Sequence, residues 1–224
     1  MTFSVAARCA ESGQLGIALS SSSIAVGARC PWLLAGVGAV SSQNITLPAL
    51  GPMTLAHLEA GDLPEAALRK ALAEDNFSQY RQLTVIDATG KTAAFSGEKT
   101  LGTHHVAEGL DCIAAGNMLA SKAVINAMVT AFQQSRGELA GRLVTALRAG
   151  LQAGGEAGPV HSAAVKVVDD YSWPVVDLRI DWSESDPVGE LEALWLAWEP
   201  QMQAYQVRAL DPREAPGYGV PGDE

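Results

Sequence analysis

The feature that most constrains this chain is that its extended segments come in clusters separated by pairs of helices. Alternation begins at once: Phe3, Val5 and Ala7 interleave with Ser4, Ala6 and Arg8 along Thr2–Arg8, the period-two pattern of a strand with two unlike faces. Further strands are read at 15–19 and 36–40, with Glu11-Ser12-Gly13-Gln14 as a hairpin turn between the first two. The stretch from 20 to 32 opens with four serines and continues too apolar for a flexible linker, so it reads as a compact loop beside a site. Past Gly51-Pro52 the period lengthens to that of a helix, and a second helix carries Pro64 in its first turn. A hairpin follows at 82–87 and 92–96, then extended segments near 104–107 and 112–115. Helices at about 121–134 and 137–152, strands at 162–168 and 175–180, and a helix from about 187 to 208 complete the order. Clustered strands and paired helices favour a layered α+β domain over a parallel, doubly wound sheet. Two antiparallel sheets packed face to face, with helices outside, accommodate every element. One domain is expected over 1–210, with an irregular Pro-, Gly- and acid-rich tail at 211–224.

Charge and cysteine usage narrow the function. A formal net charge of -10 repels nucleic acid and anionic membrane and leaves a small-molecule substrate open. No run of about 18 apolar residues is present, and no basic segment followed by an apolar one opens the chain, so the cytoplasm is the expected location. Cys9, Cys30 and Cys112 are an odd number without CxxC spacing, which fits reduced thiols better than a disulfide framework or a zinc site. A hydrolase using Cys9 or Cys30 as nucleophile is one minor reading. Phosphate-loop, dinucleotide, zinc-protease, serine-elbow and EF-hand patterns are absent, and neither a metal nor a cofactor is expected. His104 and His105 are adjacent, and consecutive strand residues point to opposite faces, so the two meet one metal only in a loop. Trp195 and Trp198, three apart on a helix, pack or sit at an oligomer contact.

The start of the chain carries the sharpest chemical possibility. If Met1 is removed, Thr2 holds a nucleophile and a base on one residue, because a terminal α-amine, with an ordinary pKa of about 8, is neutral often enough to take the hydroxyl proton. An ordinary first strand is the competing reading. Asn117, after Gly116 and just before a helix, is either an oxyanion donor or a turn or cap residue, and Gln43 and Asn44 pose the same choice. His161 and Ser162 sit together at a strand start. Arg8, Asp177 and Arg179 are strand charges that either pair structurally or recognise a substrate carboxylate.

Several segments together resemble one family: Thr2 to Arg8, Ala25-Val26-Gly27 with Pro31-Trp32, residues 35–40, Ser42-Gln43, Gly51-Pro52, Ala115-Gly116-Asn117, His161 to Ala164 and Val176 to Arg179. Their order and spacing are similar to the domain of unknown function 1028 family, grouped with the N-terminal nucleophile (Ntn) hydrolases, over about residues 2–210. The resemblance implies a four-layer αββα sandwich, Thr2 as nucleophile, and hydrolysis of an amide or related C–N bond. It also implies oxyanion donors near Asn117 or Gln43, and Ser20 or Ser21 orienting the amine. One departure stands at Ser22, where many relatives carry lysine. A non-catalytic ligand-binding or subunit protein that keeps Met1 is the alternative, and a homo-oligomer is expected in either case.

Overall fold

The computed structural model describes residues 2–220. Their elements are β1 (Thr2–Arg8), β2 (Leu15–Ser21), β3 (Pro31–Leu34), β4 (Gly38–Asn44), α1 (Leu50–Glu59), α2 (Pro64–Ala73), β5 (Arg81–Asp87), β6 (Thr92–Ser96), β7 (His105–Gly109), β8 (Cys112–Asn117), α3 (Ala123–Gln134), α4 (Leu139–Gln152), β9 (Ser162–Val168), β10 (Pro174–Ile180) and α5 (Pro187–Leu210). The strands form two sheets, ordered β10-β9-β2-β1-β8-β7 and β3-β4-β5-β6, and every pairing is antiparallel. The fold is mixed α+β, with two antiparallel sheets and five helices among the described residues.

Side-chain alternation decides what each sheet face meets. On β1, Phe3, Val5 and Ala7 pack with α3 and α4 through Ile125, Met128, Leu143 and Leu147, in a cluster that also takes in Leu191 and Trp195 of α5. The opposite face of β1 and β2, with Ala6, Leu15, Ile17 and Leu19, meets Ala39 and Ile86 of the second sheet. That second sheet turns Val40, Leu83 and Val85 toward Leu50, Leu55, Ala67 and Leu68 of α1 and α2. Each fully buried Leu, Ile or Phe contributes about 1.5–3 kcal/mol. Trp195 is buried, and Trp198 donates its indole N–H to Val175 O and stacks on Tyr205, so both tryptophans pack within the chain.

The structure corrects the sequence reading in four places. The strand read at 36–40 runs over Gly38–Asn44, which puts Gln43 and Asn44 inside it. The compact loop runs at its end into a short strand, β3, over Pro31–Leu34. Gly36, at φ +69, makes the tight turn from β3 to β4, a conformation glycine adopts without a steric penalty. The first helix begins at Leu50, before Gly51-Pro52 rather than after. Proline is tolerated there because first-turn N–H groups have no helical partner, and Gly51 lets Trp32 lie within 2.2 Å of where a Cβ would stand. Asn117 closes β8 as a paired strand residue and caps no helix.

Candidate functional site

The layer between the sheets changes character along β1. Thr2, Ser4 and Ala6 share its inner face, and their partners on β8 are Asn117, Ala115 and Ile113. Across the gap, β4 and β5 present Gln43 opposite Gln82, Ser41 opposite Thr84, and Ala39 opposite Ile86. The gap is therefore lined by amides and hydroxyls at the Thr2 end and by apolar side chains further in.

At the polar end the hydrogen bonds form a connected set. Ser4 Oγ donates to Gln43 Oε1 at 2.8 Å, and Ser41 Oγ donates to the same oxygen at 3.1 Å. Gln82 Oε1 accepts from Gln43 Nε2 at 2.9 Å and from Asn117 Nδ2 at 3.0 Å. Gln82 Nε2 in turn donates to Ser96 Oγ and to Gly116 O, each at 3.1 Å. Thr2, only 4% exposed, donates through Oγ1 to Ser21 Oγ at 3.4 Å, and Ser21 Oγ accepts from the Ser23 N–H at 3.0 Å. Each side-chain amide nitrogen carries two hydrogens, so Asn117 keeps a second N–H after its bond to Gln82. As the cross-strand partner of Thr2, Asn117 has its Cα about 4.5–5.5 Å from that residue's.

This network is not saturated. Among the described residues, four buried side-chain polar atoms lack a hydrogen-bond partner: Asn117 Oδ1, Thr84 Oγ1, Glu156 Oε2 and Arg8 Nε. The first two belong to the polar end. Glu156 adjoins it, because its Oε1 accepts from the Ser22 N–H at 3.1 Å. Burial pushes the Glu156 carboxyl up to about 7, against the opposing pull of the Ser22 hydrogen bonds and of His161.

The remaining residues singled out from sequence divide into neighbours of this end and residues remote from it. Ser20 pairs with Phe3, so it points to the helix side, where its Oγ donates to Ser162 O at 2.9 Å. Ser162 Oγ donates to Ser23 O at 2.6 Å and accepts from the Val26 N–H at 3.3 Å, pinning the turn after β2. His161 adjoins through its backbone N–H to Ser21 O, while its ring bonds Ser183 O and stacks on Trp182 at 4.4 Å. Asn44 adopts φ +72 and bonds Tyr80 O and the Leu101 N–H, a turn-type role. Arg8 stands at the other end of β1, about 20 Å from Thr2 at the usual rise per residue, and pairs with Asp111 at 3.0 Å. Asp177 pairs with Lys166 at 3.1 Å and Arg179 with Asp181 at 2.7 Å. The three strand charges thus form separate ion pairs and do not converge.

The thiols are not gathered at this end. Burial raises the Cys30 thiol and pushes that of Cys112 up to about 11. Burial also raises Cys9, but hydrogen bonds to Ser12 and Glu11 and the charge of Arg142 outweigh it and leave this thiol below its ordinary value. Cys9 lines a cavity of about 590 Å³ at the Arg8 end. Among the described residues no three His, Cys, Asp or Glu side chains converge as metal ligands, and no helix is long and apolar enough to cross a membrane.

Sequence reasoning missed Gln82, Ser41 and Glu156. Gln82 carried a partial signal, since it shares a strand face with Ile86, an apolar residue that needs cover, while Leu83 and Val85 take the other face. Glu156 carried none, because nothing in Gly154-Gly155-Glu156-Ala157-Gly158-Pro159 states where the loop returns.

A model described as "Family of unknown function (DUF1028)" matches residues 2–191. No curated protein matches. Among solved structures, protein SPO2555 from Silicibacter pomeroyi, itself assigned to DUF1028, is 34% identical with a TM-score of 0.82, covering 88% of this chain and 88% of that one. Anbu (ancestral beta-subunit) from Yersinia bercovieri is 10% identical at TM-score 0.45, covering 97% of this chain and 100% of that one. An Anbu Gly-1 mutant from Hyphomicrobium sp. strain MC1 is 13% identical at TM-score 0.43, covering 92% of this chain and 99% of that one. Likeness at that level carries no argument for this chain. The family match spans most of the sequence, and a relative sharing a third of its residues has the same fold: this chain belongs to the DUF1028 family.

Proposed function

We propose that the protein is an Ntn-type amidohydrolase acting on the C–N bond of a small amide, ureide or short peptide-like compound, with Thr2 as nucleophile once it is the terminal residue. The single observation that carries this reading is the position of Thr2. It opens a central strand, on the inner face, at the polar end of the gap between the sheets, with Ser21 Oγ 3.4 Å from its hydroxyl. Three apolar clusters, two between a sheet and helices and one between the sheets, support reading the fold as a four-layer αββα sandwich.

The chemistry follows from the residues present. The α-amine of Thr2 takes the hydroxyl proton as Oγ1 bonds to the substrate carbonyl carbon. The second N–H of Asn117, with backbone N–H groups nearby, stabilises the oxyanion, about 3 kcal/mol per donor. Collapse breaks the C–N bond, and the proton held by the α-amine passes to the leaving nitrogen. Water then hydrolyses the Thr2 ester, releasing the acid and restoring the hydroxyl. Gln43 and Gln82 act as the wall that fixes Asn117. Ser21 orients the hydroxyl.

The alternative, a non-catalytic binding protein that retains its first methionine, accords with Ser22, a departure from the pattern that the family resemblance implies. Intact mass of untagged protein and labelling by a peptide epoxyketone, which adds without a leaving group to an amine and hydroxyl on one residue, separate the two. A mass lacking Met1, with one label lost at least 100-fold in Thr2→Ala, supports the hydrolase. A retained Met1 with no labelling moves the function to ligand binding. A homo-oligomer accords with exposed Leu194 and Leu196 on α5, and sedimentation of the full chain measures it.

A further inference from the structure

Glu156 lies in a glycine-rich loop, and its contacts tie it to the start of β1. That strand runs between β2 and β8, so Thr2 is flanked by Ser21 on one side and Asn117 on the other. One residue past β2, the Ser22 N–H donates to Glu156 Oε1 at 3.1 Å. Two residues past β8, Leu119 forms a β-bridge with Glu156. The loop is sewn to the same strand end by Ala120 N–H to Gly155 O at 3.0 Å and by Ala157 N–H to Met118 O at 2.9 Å. A residue bonded to both neighbours of β1 just beyond its end lies across the line of β1, ahead of Thr2.

The Glu156 side chain itself asks for a donor. The residue is 4% exposed, and its Oε2 is buried with no hydrogen-bond partner among the described residues. Leaving a buried carboxyl oxygen unmatched is costly unless a donor arrives. A terminal amine on Thr2 supplies one at the place this carboxyl spans.

We propose that Glu156 is a positioning residue: its free carboxyl oxygen accepts a hydrogen bond from the α-amino group of Thr2 and holds that group beside Thr2 Oγ1. The inference rests on Thr2 acting as the terminal nucleophile. Glu156 forms no covalent bond; by holding one amine hydrogen it leaves the nitrogen lone pair directed at the hydroxyl. Among the described residues, the other ionisable side chain acting on Glu156 at this strand end is His161, whose ring is bonded to Ser183 O and has Glu184 at 3.9 Å.

The test is the ionisation of the Thr2 amine, read without any substrate. Untagged full-length protein labelled with 13C-threonine is first weighed, and the Thr2 13Cα resonance, assigned by its loss in Thr2→Ala, is then followed against pH. Removing a neighbouring carboxylate favours the neutral amine, so Glu156→Gln is expected to lower the midpoint by about one pH unit, with Glu156→Asp in between. His161→Gln is the control, expected to move the midpoint by less than half as much. Thermal unfolding of each variant accompanies the titration. Coincident midpoints in wild type and Glu156→Gln overturn the inference and leave Glu156 as a loop anchor. If the Gln variant fails to fold, an unmoved midpoint in the Asp variant overturns it equally. A mass that retains Met1 sinks the Thr2 mechanism and this inference together, whereas coincident midpoints on a Met1-free chain sink this inference alone.

Discussion

At one end of the gap between the sheets, Ala6, Ile17, Leu19, Ala39, Ile86 and Ile113 meet as an apolar cluster; at the other, Ser4, Gln43, Gln82 and Asn117 fill the same gap with hydroxyls and amides. β1, β4, β5 and β8 supply both ends. The apolar end needs only volume and shape, which many side chains provide. The polar end needs a partner for every donor and acceptor, and low local polarity makes each unmatched group expensive. Folding alone is served by the first arrangement. The second, with Asn117 Oδ1 and Thr84 Oγ1 still unmatched, costs more than folding alone requires, and Thr2 stands there.

Gln82→Leu tests that contrast most severely. It deprives Gln43, Asn117, Ser96 and Gly116 of their shared partner, and at about 1–3 kcal/mol for each buried group left unmatched, several kcal/mol of stability go. Urea unfolding measures it, and a loss below about 1 kcal/mol would show the polar end to be as tolerant as the apolar one. The double variant Gln43→Leu/Gln82→Leu is expected to lose less than the sum of the singles, because partners are removed together.

The pH dependence comes next in size. Glu156 has an ordinary pKa of 4.5 and is raised to about 7 in the fold, so its neutral form is favoured when folded. The stability this confers is fully present below pH 4.5 and is lost as pH rises through about 7, a difference on the order of 3 kcal/mol. Unfolding followed from pH 4.5 to 8 is expected to show that decline in wild type and a flatter profile in Glu156→Gln. Equal slopes would detach Glu156 from the polar end.

Smaller effects are expected away from it. Ile17→Val removes one methylene from the apolar end and should cost about 0.5–1.5 kcal/mol. If it costs as much as Gln82→Leu, the contrast between the ends disappears. Lys166→Ala breaks a partly exposed ion pair with Asp177 on the outer strands and should cost less than about 1 kcal/mol, with no change in labelling at Thr2.

Much of this architecture was legible because alternation is a local signal. Phe3, Val5 and Ala7 state which face of β1 is buried against helices without reference to any other segment, and the helix pairs announce themselves by period. The β3–β4 hairpin was harder to see. Pro31 to Leu34 is a short edge strand paired on one side, and its sequence alternates weakly. Thr2, Ser21, Gln43 and Asn117 lie at one strand end because register brings partners together. Arg8 shares the inner face but sits three steps away along β1, and a sequence does not reveal distance along a paired strand until its partners are known. Gln82 and Glu156 come from a different sheet and a returning loop, where only tertiary structure sets proximity.

The burial of Thr2 has a consequence for timing. At 4% exposure, between two hydrogen-bonded neighbours, this residue is closed to any peptidase that must draw an extended terminus into its own cleft. If Thr2 acts as the terminal nucleophile proposed above, whatever precedes it in the nascent chain is best removed while β1 is still unpaired. Excision and folding then run as a race during synthesis. The anchors that fix the register of β1 lie downstream of Thr2, so on that proposal a chain that loses the race still folds, but without a free amine on Thr2.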